Sequence, residues 1–133
     1  MLIMTDGAAS DITETAWRSL LTQRYVDQEL VRAAYAEPRL RQLFPWTGMW
    51  ELHFSRCTKY PWSWDLPFIL PRNGGGFEVW GPSRADFIGE ADTADAAAAM
   101  AADHLPAGSR RVVVGNRDAL AAAEESPDRH TTP

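Results

Sequence analysis

Trp50-Glu51-Leu52-His53-Phe54-Ser55-Arg56 alternates apolar and polar side chains with a period of two. Successive side chains of a strand point to opposite faces. The stretch therefore reads as a strand with Trp50, Leu52 and Phe54 on a core face. Glu51, His53 and Ser55, with Cys57 next in the series, fall on the other face.

Downstream, residues 58–76 read as one long connection containing Pro61, Pro67 and Pro71 and closing in Asn73-Gly74-Gly75-Gly76. Its Trp62, Trp64, Phe68 and Ile69 predict a loop packed over the sheet, because a connection of this length in a small domain is functional or disordered. Phe77-Glu78-Val79-Trp80 and Asp86-Phe87-Ile88-Gly89-Glu90 predict a hairpin around Gly81–Ala85. Asp92 or Thr93 caps an alanine-rich helix to His104, stopped by Pro106 and Gly108. Arg110 to Gly115, centred on three valines, predicts a strand buried on both faces. Asn116 caps a last helix from Arg117 to about Glu125.

Upstream, Pro45 breaks a short helix expected from Pro38 to Phe44. From Ile12 to about Ala36 the apolar positions recur at helical spacing, with Trp17, Leu20, Leu30, Val31 and Tyr35 on one broad side. Asp11 and Glu14 have the spacing of a capping box at its start. Arg24, Asp27 and Gln28 interrupt the apolar side. Two readings compete: a break near Thr22–Asp27, or a polar cluster at a cleft. Residues 1–10 and 126–133 are expected to be disordered, leaving a single domain over 11–125. The resulting fold class is α+β: a mainly antiparallel sheet of three to five strands, helices packed on one face, and a long N-terminal helical segment.

The 133 residues carry a formal net charge of −5. Residues 1–84 balance nine basic against nine acidic groups, so the whole deficit lies beyond them. The acidic balance argues against general nucleic-acid binding. No apolar run reaches the roughly 20 residues needed to span a bilayer, and the first residues are too short for a signal-peptide core. A cytoplasmic protein is the expectation. The single cysteine, Cys57, excludes an internal disulfide and a cysteine-rich metal site. No cofactor or metal is expected.

Ten of the fourteen aromatic residues lie between positions 44 and 80. One small core does not need so many, and surplus rings near a surface meet a ligand or a partner. Within 38–72, Arg39, Arg41, Arg56, Lys59 and Arg72 face only Glu51 and Asp65. A binding surface is therefore expected from Trp46, Arg56, Lys59, Tyr60, Trp62, Trp64 and Arg72, with an anion or an acidic surface as its complement. Of groups able to do chemistry, His53 can be oriented by Glu51 and titrates near neutrality. Asp65, between Trp64 and Leu66, and Cys57, beside Arg56, are the other candidates, against ordinary turn-capping and buried-thiol roles. Asn73–Gly76 lacks the ending of a phosphate loop, and Glu90, Asp92 and Asp95 fit helix capping better than a calcium loop.

Leu43-Phe44-Pro45-Trp46, the run from Leu52 to Ser63, and the pattern from Val79 to Ala94 resemble a family of small actinobacterial proteins assigned to natural-product biosynthesis with no defined activity. The resemblance covers about residues 38–115. It implies a biosynthetic setting, secondary metabolism or antibiotic production, and no particular step. Two functional readings follow. One is an accessory protein whose aromatic, basic segment holds a partner biosynthetic protein or a small anionic metabolite, with a homo- or hetero-oligomer compatible with that role. The other is a cofactor-independent acid–base enzyme, an isomerase, cyclase or eliminating lyase, with His53 as general base or acid. Trp62 and Trp64 around a hollow containing His53 or Asp65 would favour the enzyme. The same rings on a flat apolar patch would favour the partner.

Overall fold

A computed structural model describes residues 2–109 and 111–131, with side chains described for 7–109 and 111–125. Its centre is a five-stranded antiparallel sheet in the order β1 (Phe44–Gly48), β2 (Glu51–Ser55), β3 (Phe68–Pro71), β4 (Phe77–Trp80) and β5 (Phe87–Ala91). Sequence neighbours are spatial neighbours throughout, so short hairpins and one longer connection suffice. The helices are α1 (Leu2–Leu20), α2 (Gln28–Ala36), α3 (Pro38–Arg41), α4 (Ala94–Asp103) and α5 (Arg117–Thr131). The α+β class, the antiparallel sheet and the N-terminal helical segment packed on it are as the sequence predicts.

One sheet face is covered by α1 and α4, with α2 packed against α4. Leu52, Phe54, Ile69, Phe77 and Val79 point into this layer and meet Trp17, Leu30, Val31, Ala34, Leu40, Ala97 and Ala101. Trp17 is fully buried and its indole N–H donates to the Leu43 carbonyl at 3.0 Å. That bond ties α1 to the chain entering β1. The alanines of α4 serve close approach: a side chain on Gly89 of β5 would meet the Met100 sulfur at 3.0 Å. Thr93 caps α4 by accepting from the Ala96 amide, as expected.

The helical pattern from residue 12 to 36 is two helices. Asp27 caps the second by accepting from the Leu30 amide, and Gln28 bridges the break by donating to the Leu20 and Gln23 carbonyls. The break reading is the observed one, and Asp27 also borders a hollow of about 280 Å³ with Glu29, Arg72 and Asp92. Asp11 and Glu14 lie inside α1 rather than at its start, so they do not form a capping box. The loose ends expected at 1–10 and 126–133 lie largely outside the described side chains.

Three further expectations are corrected. The short helix ends at Arg41, and Phe44–Gly48 is an edge strand that accommodates Pro45 because one side of an edge needs no ladder bonds. The long connection 58–76 contains β3, whose pairing with β4 closes through Gly74, Gly75 and Gly76, all at positive φ. The valine run is not a central strand: it makes one parallel bridge, Cys57 to Val113, and Val114 is exposed.

If the Trp17–Leu43 bond fixes the helix layer on the sheet, Trp17→Phe should lower the unfolding free energy by about 1–3 kcal/mol, since it leaves a buried carbonyl unpaired. Urea denaturation measures this, and an unchanged midpoint would contradict it.

Candidate functional site

The second sheet face carries the remaining rings. Strand register aligns them in one row. Trp46 pairs with His53. The Leu52–Ile69 pairing, taken one step along, sets His53 opposite Phe68. Phe68 pairs with Trp80, and Trp80 with Phe87. Each strand thus gives one ring to a band crossing the sheet.

Within this band the planes stack. The Trp46 and His53 rings are 4.1 Å apart at 13°, and His53 and Phe68 are 4.5 Å apart at 15°. Trp62 lies on the far side of Trp46 at 5.2 Å and 12°, and the Arg84 guanidinium lies over Phe68 at 4.9 Å. His53 is therefore enclosed on both ring faces and only 8% exposed. Its Nε2 lies 2.8 Å from Glu51 Oε1, and Arg84 in turn binds Glu51 Oε2. Among the described residues no hydrogen bond reaches His53 Nδ1. A carboxylate at Nε2 favours the tautomer with its proton there and leaves the Nδ1 lone pair as the free base. Burial lowers the His53 pKa below its usual 6.5, opposed by the hydrogen bond and charge of Glu51 and assisted by Arg84. The ring is thus neutral at pH 7.

A groove of about 620 Å³ opens over this pair, lined by Trp46, Met49, Glu51, His53, Trp64 and Phe68, with Gly48, Ser83, Arg84 and Arg117 completing the wall. Two cations border it. Arg84 is bound to Glu51, whereas Arg117, from the first turn of α5, makes no ion pair among the described residues. Trp46 contributes one more polar group: its Nε1 is buried without a partner among the described residues.

The groove is framed by unusual backbone. Among the described residues, five non-glycine residues adopt positive φ: Met49, Trp50, Trp64, Ser83 and Arg84. All but Trp50 line the groove. Met49 and Trp50, at φ 53° and 69°, are the two central residues of the β1–β2 turn. That is the geometry of a type I′ turn, which favours Asn-Gly and disfavours bulky side chains. Both are exposed, Met49 by 89%. Large apolar groups held in disfavoured geometry beside a hollow suggest a role outside the fold's own stability.

The sequence candidates divide. His53, Trp46 and Trp64 line the groove, and Trp62 backs Trp46. Asp65 and Cys57 do not line it. Asp65 is bound by Arg56 through both Nε and Nη2, and Arg56 also binds Glu124. The bond to Asp65 leads the effects that raise the Arg56 pKa. Cys57 is fully buried, with its sulfur 3.3 Å from Ser55 Oγ and 3.6 Å from the Lys59 and Pro61 carbonyls. Ser55 accepts from the Cys57 and Ser63 amides. Together they fix the start of the 56–66 connection, a structural task that leaves the thiol away from any ligand in the groove. The expected anion-holders do not converge: Arg72 is bound to Glu78 and Glu90 across β4 and β5, and Lys59 and Tyr60 are exposed outside the groove. Sequence reasoning missed Arg84, Arg117, Met49 and Phe68 as site residues. Phe68 was visible as surplus aromaticity, while the two arginines had no local signal. Among the described residues, no group of three or more His, Cys, Asp or Glu could hold a metal ion. No helix among them is long and apolar enough to cross a membrane.

The chain belongs to DUF6193, a family of unknown function, whose family model matches residues 11–116. No curated protein and no solved structure matches it.

Two measurements follow from the site. The unfolded chain takes up a proton on His53 near pH 6.5 while the folded chain resists it, so the contribution of this residue to stability is complete above pH 6.5 and declines as pH falls through the lower folded value. Replacing His53→Phe should remove that part of the acid slope in denaturation curves taken between pH 7 and 5. An unchanged slope would contradict the buried neutral ring. Separately, Met49→Asn with Trp50→Gly should stabilise the chain by about 1–2 kcal/mol through relief of left-handed backbone. A destabilised double variant would show that the two side chains hold the turn themselves.

Proposed function

We propose that this protein holds a small organic acid with a flat or apolar body in the groove and that His53 moves a proton on it, as a cofactor-independent step in bacterial natural-product biosynthesis. The observation that carries this reading is a concave, ring-lined space containing a neutral, carboxylate-oriented histidine. A polar pair placed in an aromatic wall, with an unpaired arginine at the rim, suits a ligand of mixed character. Trp64, Phe68 and Met49 offer its body apolar contact, and Arg117 offers its anionic group a charge-assisted hydrogen bond. The Nδ1 lone pair then removes a proton from carbon beside a carbonyl and returns it at another position, an isomerisation needing no further reactant. The biosynthetic setting rests on the resemblance of the Leu52–Ser63 run described above.

The accessory reading keeps one supporting observation: Met49 and Trp50 expose apolar surface at a hairpin tip, as interface anchors do. In that case the groove would be the seat of a partner side chain.

Anilinonaphthalene sulfonate, a flat organic anion, is a direct probe. It should bind saturably with one site and quench tryptophan emission. Arg117→Gln should weaken it by about tenfold, the value of one charged hydrogen bond. His53→Gln should preserve probe binding while abolishing turnover of the producing strain's intermediates. Equal probe affinity in wild type and Arg117→Gln would contradict this ligand pose. Full pathway output from a folded His53→Gln variant would remove the catalytic reading and leave the accessory one.

A further inference from the structure

A second hollow lies away from the ring band, between α1, α3 and the segment around residue 111. It measures about 490 Å³ and is lined by Ser10, Thr13, Glu14, Arg41, Gln42 and Arg111, with Ala9, Pro38 and Val112. We infer that this hollow is an oxyanion site for a carboxylate- or phosphate-bearing small molecule, separate from the His53 groove.

Thr13 supplies the first argument. It is 4% exposed, yet its hydroxyl has no hydrogen-bond partner among the described residues. A helical threonine ordinarily returns its hydroxyl to a carbonyl one turn back. Here that bond is not made, and the residue borders a hollow. A buried donor without an acceptor is costly, and a ligand oxygen relieves the cost.

The charges supply the second argument. Arg41 is fixed in place: its guanidinium lies 4.1 Å over the Tyr35 ring and its Nη2 is 3.4 Å from Glu14 Oε1. Glu14 is itself heavily engaged, accepting from the Tyr35 hydroxyl and from Arg18 Nε. The Tyr35 hydrogen bond leads the effects that lower the Glu14 pKa, despite desolvation. The carboxylate is thus committed to Tyr35 and Arg18 and serves as a brace for Arg41. Arg111 makes no ion pair among the described residues. The lining therefore holds two cations against one committed anion. An arginine held over a ring, with its fork partly free, is preorganised for an oxyanion. Gln42 donates its amide to the Arg39 carbonyl, so its oxygen remains to accept from a hydroxyl on the same ligand.

The test uses the whole chain at constant ionic strength, with thermal unfolding read against inorganic phosphate and, in parallel, acetate. At least one of the two should stabilise the protein saturably. Arg111→Gln and Thr13→Val should each raise the half-saturating concentration by about tenfold, as loss of a charged or buried hydrogen bond requires. Arg72→Gln, remote and already paired, should leave it unchanged. Thr13→Val also separates ligand from fold: a hydroxyl that is merely stranded would give a more stable variant with an unaltered anion response, and that result overturns the inference. A response lost in Arg117→Gln instead would place the anion in the His53 groove and overturn it equally. No saturable response to either anion would do the same.

Discussion

His53 is held between Trp46 and Phe68, and much of the second sheet face is arranged around that contact. The helix layer takes the rings and aliphatic groups of one face, so the rings of the other face are covered mainly by each other, by the 56–66 connection and by Arg84. Cross-strand pairing then decides their order, because neighbours on one face stand close enough to stack. The imidazole sits in the middle of the row. It gains contact on both planes and loses water, and the loss of water is what keeps it uncharged. Glu51, two positions along the same strand, is the compensation: without it the buried ring nitrogen would lack its partner.

The charges of the chain are divided by the same geometry. Arg56 and Arg72 look free in the sequence and are consumed in the fold by Asp65, Glu124, Glu78 and Glu90. The more exposed Arg72 pairs contribute little to stability, at most about 1 kcal/mol each, and the part-buried Arg56–Asp65 pair, like them, neutralises the cation it holds. Arg117 and Arg111 escape that pairing among the described residues, and each borders a hollow. An acidic protein thereby keeps two cationic spots without a basic surface.

The legible parts of this fold were those with a local signal. The Glu51–Ser55 alternation, the hairpin around Gly81–Ala85, the capped alanine helix and the break at Thr22–Asp27 all follow from short-range chemistry. Strands β1 and β3 were hidden by proline: Pro45 reads as a helix stop, and Pro67 and Pro71 read as loop punctuation around Phe68-Ile69-Leu70. Only the sheet shows that Pro45 sits on an edge and Pro71 at a strand end. The β1–β2 turn carries Met-Trp where Asn-Gly would announce a turn, so local propensity pointed elsewhere. The valines at 112–114 look like a central strand because hydrophobicity was their only signal, and it does not specify a pairing partner. The site was half legible. Glu51 and His53 share a strand and therefore a face, which periodicity shows. Arg84 reaches Glu51 from 33 positions away and Arg117 arrives from α5, placements that depend on the assembled tertiary fold.

The groove chemistry depends on a neutral His53 with its proton on Nε2 and a free lone pair on Nδ1. Nitrogen-15 NMR of labelled imidazole, followed from pH 8 to pH 4.5, reads both features in one titration. The Nε2–H tautomer is expected at neutral pH, with a transition below 6.5. In Glu51→Gln the transition should move lower still, since the carboxylate opposes the effect of burial. A ring that titrates at or above 6.5, or that carries its neutral-form proton on Nδ1, would rule out a buried neutral base at this position.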